Sequence, residues 1–121
     1  MTKLKGLGCD IVEIARMESA LAKDGFAERV FTDMERHNIE KKGVQTAAGY
    51  WAAKEAVAKA LGTGFVEYGL KDIEILTDEA GAPHAYLYRG AQARMARLGA
   101  LSVHVSISHE KGMAMAVAAV E

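Results

Sequence analysis

The stretch Tyr50–Gly64, YWAAKEAVAKALGTG, decides how this chain is read. It holds three charged side chains among small and apolar ones, and it predicts a long helix from about Ala47 to Leu61. Gly62 is placed to close that helix as a left-handed cap. Helical spacing puts Glu55 and Lys59 one turn apart on the same side, among alanines. Two readings follow. Glu55 and Lys59 form an i,i+4 ion pair, which supports a helix by roughly 0.2–0.5 kcal/mol. Alternatively, the alanines leave room for a ligand and the two charges are there to meet it.

Working outward, LKGLGCDIVEI (4–14) predicts a first strand carrying two glycines. ARMESALAK continues it as a helix with Ile14, Met17 and Leu21 as the apolar stripe and Gly25 just beyond its end. Thr32 and Glu35 stand at capping-box spacing, so a short helix starts at Asp33. LKDIEILT (70–77) and HAYLYR (84–89) are strands joined by the turn signal DEAGAP, and AQARMARLG (91–99) is a helix stopped by Gly99. LSVHVSISH (101–109), the turn EKG and MAMAVAAV (113–120) make a second hairpin. The fold class is therefore α+β: one domain over residues 1–121, a mostly antiparallel sheet, one long helix and several short ones. The last strand is apolar on both faces, so it is central in the sheet or covered by another subunit.

Length and composition bound the rest. A chain of 121 residues makes one domain with a modest core, which oligomerisation would help. Apolar residues at 50% and charged residues at 26% are those of a soluble globular protein. A net charge of −1 provides no global field for nucleic acid or an anionic membrane, so neither is expected as a partner. No apolar run approaches the ~20 residues of a membrane span, and MTKLKGLG has no signal-peptide core. The lone Cys9 cannot form an internal disulfide and reads as a buried small hydrophobe in a reducing, cytoplasmic setting.

The chemistry-bearing residues come next. GLGCD lacks the third glycine and the immediate helix of a dinucleotide fingerprint. What it leaves is Asp10 beside glycines that allow close backbone approach, either as turn chemistry or as a hard-cation ligand. Mg²⁺ needs only one or two carboxylates when water and substrate phosphate fill its other positions. Glu55 is the natural second carboxylate, and Lys59 is then a mobile cation suited to a phosphate. Gly62 and Gly64 permit close approach after the helix, but a helix C-terminus repels anions. In SVHVSISH, Val103, Val105 and Ile107 face one side, and His104, Ser106 and Ser108 the other. His109 sits at the strand end, a solvated turn residue or a catalyst; His104 carries the same pair of readings. His37 and His84 have no chemistry nearby, no histidine–cysteine cluster supports zinc, and no nucleophile elbow supports a serine hydrolase. The residues alone lead to Mg²⁺-dependent phosphate chemistry.

Three segments in this order carry a resemblance. GLGCDIVEIAR resembles the opening G-x-G-x-D-[IV]-x-x-[IV]-x-R of the short holo-[acyl-carrier-protein] synthases, the small phosphopantetheinyl transferases. WAAKEAVAKALGTG resembles their W/F-x-x-K-E-x-x-x-K-A-x-G signature, and HVSISH their strand near the C-terminus. The resemblance covers nearly the whole chain. It implies transfer of 4′-phosphopantetheine from coenzyme A to a serine of apo acyl carrier protein, releasing adenosine 3′,5′-bisphosphate. It also implies that Asp10 and Glu55 bind Mg²⁺, that Lys59 neutralises phosphate charge and that His109 contacts coenzyme A, with Gly62 at the coenzyme end of the helix. The general base is left among Glu55, a metal-bound water and His109. Lys54 matches the motif but lies about 100° round the helix from Glu55, and does a different job.

The resemblance further implies a homotrimer with sites at subunit boundaries, and docking of an acidic carrier protein on a basic surface. Arg16 matches the family's arginine there; Lys23 and Arg29 are chosen by charge. One departure stands out: many members carry arginine where this chain has Tyr50, whose phenol cannot replace that cation. Two other readings remain. One is an Mg²⁺-dependent pyrophosphatase acting on coenzyme A or a nucleotide; the other is a trimeric binding module without catalysis.

Overall fold

The computed structural model describes residues 3–121. Five strands and five helices follow in the order β1 (Gly6–Glu13), α1 (Ile14–Leu21), α2 (Phe26–Val30), α3 (Asp33–Lys42), α4 (Val44–Leu61), β2 (Ile73–Thr77), β3 (Pro83–Leu87), α5 (Arg89–Arg97), β4 (Val103–Glu110) and β5 (Met113–Val120), with a 3₁₀ turn at Leu70–Asp72. The strands form an antiparallel sheet ordered β1-β5-β4 and a separate β2-β3 hairpin. The α+β class read from the sequence is the observed one.

The long helix α4 lies across the three-stranded sheet and supplies most of the core. Ala47, Ala48, Ala52, Ala53, Ala56, Val57, Ala58 and Leu61 are all fully buried. Where β1 crosses the helix, its backbone presses close at Gly6 and Gly8, against Ala60 and Ala56. β5 is the central strand: Ala114, Ala116, Ala118 and Val120 turn under α4 and are buried. Its opposite face is open on this chain. There Met115 and Val117 are exposed beside Leu7 and Ile11 of β1, which are 67% and 62% exposed.

Cys9 belongs to that open face, and this corrects its reading as a buried hydrophobe. Side chains alternate along β1, and the helix-facing positions are taken by Gly6, Gly8 and Asp10. Cys9 therefore points the other way, between Leu7 and Ile11.

The local signals fall as follows. Thr32 Oγ1 accepts from the Glu35 amide at 3.2 Å while the Thr32 amide donates to Glu35 Oε1 at 2.8 Å, completing the capping box. Gly62 has φ 87° and its amide donates to the Ala58 carbonyl, ending α4. Val103, Val105 and Ile107 pack on the core while His104, Ser106 and Ser108 are exposed. α4 begins at Val44, earlier than expected, because Gly43 at φ 101° lets α3 end and α4 start across one residue. The five-residue α2 had no sequence signal of its own. It is held by Phe26, whose ring lies 6.4 Å edge-on from Phe31 and 6.0 Å stacked from Trp51. Among the described residues no helix is long and apolar enough to cross a membrane.

Candidate active site

Asp10, Arg16, Glu55 and Lys59 line one cleft of about 460 Å³, with Met17, Ala20, Phe26 and Trp51 as its apolar wall. Asp10 comes from β1, Arg16 from α1, and Glu55 and Lys59 from α4. The close packing of β1 on α4 brings residues about fifty apart in sequence into one place.

Lys59 does not pair with Glu55, four residues before it. Its ammonium donates to the Cys9 carbonyl at 2.9 Å and to Asp10 Oδ1 at 3.2 Å. Glu55 stays half-buried on the cleft side. Desolvation pushes its pKa up, the Asp10 carboxylate pushes it further, and the Lys59 ammonium only partly offsets the two. A half-buried carboxylate whose ionisation is opposed by a second carboxylate beside it marks a place where a cation would relieve repulsion. The donor set fits a hard divalent ion such as Mg²⁺, which takes one or two carboxylates and fills the rest with water and phosphate. Among the described residues no group of three or more His, Cys, Asp or Glu could close an all-protein metal site. Asp10 and Glu55 would therefore leave most positions to other ligands.

Lys54 and Glu55 are neighbours with opposite fates. Lys54 is fully buried, with its ammonium 2.8 Å from Glu35 Oε1 and donating to the Leu70 and Ile73 carbonyls at 2.9 and 2.5 Å. Glu35, also buried, accepts from the Ile75 amide at 2.7 Å. The pair ties α3, α4 and β2 together on the side of α4 away from the cleft. Burial pushes the Lys54 pKa down and the Glu35 pKa up, while their mutual attraction opposes both shifts. Sequence reasoning saw Glu35 only as a capping residue, since its partner lies nineteen positions on.

His109 is not in the cleft. Its Nε2 is 2.8 Å from the Gln45 carbonyl and its ring sits against Gly49, at the N-terminal half of α4. Glu55 stands six positions after Gly49, about 9 Å along the helix, and β5 separates the strand of His109 from that of Asp10. His109 lines a second cavity of about 210 Å³ with Lys42, Thr46, Tyr50 and Thr77 among others. Tyr50 is buried there, and its hydroxyl accepts from Asn38 Nδ2 at 3.2 Å.

Lys23 and Arg29 are exposed on the α1–α2 segment whose Phe26 lines the cleft. Gly62 is at the C-terminal end of α4, where a side chain at its Cβ would come 3.4 Å from Arg94 Nη2. His104 Nε2 pairs with Glu121 at 2.9 Å, and His84 Nε2 with Asp78 at 2.8 Å, both away from the cleft.

The model of the 4′-phosphopantetheinyl transferase superfamily matches residues 6–118. The holo-[acyl-carrier-protein] synthase of Solidesulfovibrio magneticus is 46% identical over 121 residues, covering 98% of this chain and 98% of that one. The crystal structure of the Helicobacter pylori holo-[acyl-carrier-protein] synthase in complex with coenzyme A superposes with a TM-score of 0.84 at 36% identity, over 95% of this chain and 99% of the other. The corresponding synthase from Bacillus anthracis, in complex with CoA (3′,5′-ADP), gives 0.81 at 36% identity over 98% and 97%. With a family model over nearly its whole length and these relatives end to end, the chain belongs to the 4′-phosphopantetheinyl transferase superfamily of enzymes, among the holo-[acyl-carrier-protein] synthases.

Proposed function

We propose that this enzyme transfers 4′-phosphopantetheine from coenzyme A to a serine hydroxyl of an acidic apo acyl carrier protein, with Mg²⁺ held by Asp10 and Glu55. The observation that carries this reading is the meeting of Asp10, Glu55, Lys59 and Arg16 in one cleft. When bound, Mg²⁺ supplies neutralisation of the diphosphate charge. Lys59, already within reach of Asp10, turns its ammonium to the phosphate oxygens as the serine oxygen attacks and adenosine 3′,5′-bisphosphate leaves. Phe26, Trp51 and Met17 keep that side of the cleft dry, which strengthens each charge interaction. Arg16, Lys23 and Arg29 present the cationic rim on which the carrier docks, setting its on-rate more than its affinity. Glu55, on the cleft side of α4, is placed to take the serine proton.

We further propose that the working unit is a homotrimer in the cytoplasm. The open sheet face of Leu7, Ile11, Met115 and Val117 is a surface for a second copy. His109, apart from Asp10 within one chain, would be brought to a neighbour's cleft in such an assembly. Coexpressed Asp10→Ala and His109→Ala chains, each impaired alone, are then expected to recover transfer together. No recovery would restrict the site to a single chain.

The direct test incubates the protein with apo carrier and coenzyme A, with Mg²⁺ or with chelator, and reads the carrier's mass. A gain of one phosphopantetheine, abolished by chelator, is expected. Unmodified carrier with cleaved coenzyme A would point to a pyrophosphatase. In the metal-free protein Glu55 takes up its proton above the ordinary glutamate range, because burial and Asp10 raise its pKa, so proton and Mg²⁺ compete for it and the Mg²⁺ concentration needed for transfer should rise as the pH falls.

A further inference from the structure

The approach of β1 to α4 is set at two glycines, and one of them lies two residues from Asp10. A Cβ built on Gly8 would stand 2.0 Å from the Ala56 carbonyl oxygen, 2.7 Å from the Ala60 nitrogen and 2.9 Å from Lys59 Cβ. One built on Gly6 would stand 1.9 Å from the Ala60 carbonyl oxygen. The obstacles are mainly helix backbone, which cannot rotate aside as a side chain can. Any larger residue lifts the strand off the helix.

Gly6, Gly8 and Asp10 share the helix-facing side of β1. Opposite Gly8, Ala56 directly follows Glu55, and Lys59 packs against the same point. The strand–helix distance at Gly8 thus sets how far the backbones that carry Asp10 and Glu55 stand apart.

We propose that Gly8 is a positioning residue. By admitting the α4 backbone, it holds Asp10 and Glu55 at a spacing that selects Mg²⁺ over a larger divalent cation. This rests on the proposed metal-dependent reading of the cleft. Mg²⁺ takes oxygen ligands at about 2.0–2.1 Å and Ca²⁺ at about 2.3–2.6 Å. Moving a Cβ from 2.0 Å to ordinary contact beyond 3.4 Å opens the gap by more than an ångström. That exceeds the difference between the two ions.

The test measures coenzyme A affinity by calorimetry with Mg²⁺, with Ca²⁺ or with chelator, and checks each variant's fold by circular dichroism. In the wild type Mg²⁺ should tighten coenzyme A binding more than Ca²⁺ does. In Gly8→Ala the Mg²⁺ effect should fall by about tenfold or more, while the Ca²⁺ effect is kept, reversing the preference. Adding Asp10→Glu, one methylene longer, should restore part of the Mg²⁺ effect. Gly6→Ala introduces the same clash farther from the carboxylates, so it should lose stability and keep the wild-type ion preference. Like ion preferences in the two glycine variants would overturn the proposal. If Gly8→Ala does not fold, Asp10→Glu alone decides: over-reaching the fixed gap, it should weaken the Mg²⁺ effect, and an unchanged preference overturns the proposal. A wild type whose coenzyme A affinity ignores both ions would remove the metal reading itself.

Discussion

Replacing Asp10 with alanine is expected to leave a folded protein that modifies an apo carrier more than ~100-fold more slowly than the wild type. Asp10 sits at the cleft with its side chain 19% exposed, and its ion-pair partner Lys59 is itself 54% exposed. A pair that open to water contributes about 0–1 kcal/mol to stability, so the thermal transition should scarcely move. The expected loss of activity has a different origin. Altering even the groups behind a metal ligand costs about 10–100-fold in affinity or rate, and here a carboxylate proposed to hold the ion is gone. Freed of Asp10, Lys59 also loses the contact that holds its ammonium over the cleft, keeping only the Cys9 carbonyl. Steady-state carrier modification and a thermal melt on the same preparation test both halves. Wild-type turnover in Asp10→Ala would contradict the metal assignment.

The largest stability effect is expected on the other side of α4. Glu35→Ala should destabilise the fold by about 3–5 kcal/mol, because it leaves the Lys54 ammonium charged and buried without its anion. Pairing it with Lys54→Met removes the stranded charge, a change that often restores stability when a buried ion pair is replaced by apolar side chains. Here it should not. The Leu70 and Ile73 carbonyls lose the Lys54 ammonium, and the Thr32 and Ile75 amides lose the Glu35 carboxylate. Each unsatisfied buried group costs about 1–3 kcal/mol. The double variant should therefore remain at least about 2 kcal/mol below the wild type in urea denaturation. Full recovery of stability would show that the charges, not the backbone bonds, are what this pair supplies.

The helices and hairpins were legible because their signals are local. Thr32 and Glu35 are three residues apart, and Gly62 ends α4 by its own conformation. Met17 and the β4 alternation show their burial in a few residues of pattern. What could not be read depends on which face meets which neighbour. Cys9 looked like a core residue until Gly6 and Gly8 were seen to occupy the helix side of β1. The Lys59–Asp10 pair spans forty-nine positions, and no spacing rule reaches that far. α2 is too short for periodicity and exists because Phe26 stacks on Trp51. His109 could be placed at a strand end from sequence, but its distance from the cleft depends on β5 lying between β4 and β1.

Diffraction at the manganese edge from crystals grown with Mn²⁺ and coenzyme A bears most directly on the site. One anomalous peak bonded to both the Asp10 and Glu55 carboxylates and to a phosphate oxygen of coenzyme A is expected. A peak that touches only one of the two carboxylates, or none beside a well-ordered coenzyme A, would contradict the shared-cation site on which the proposed transfer is built.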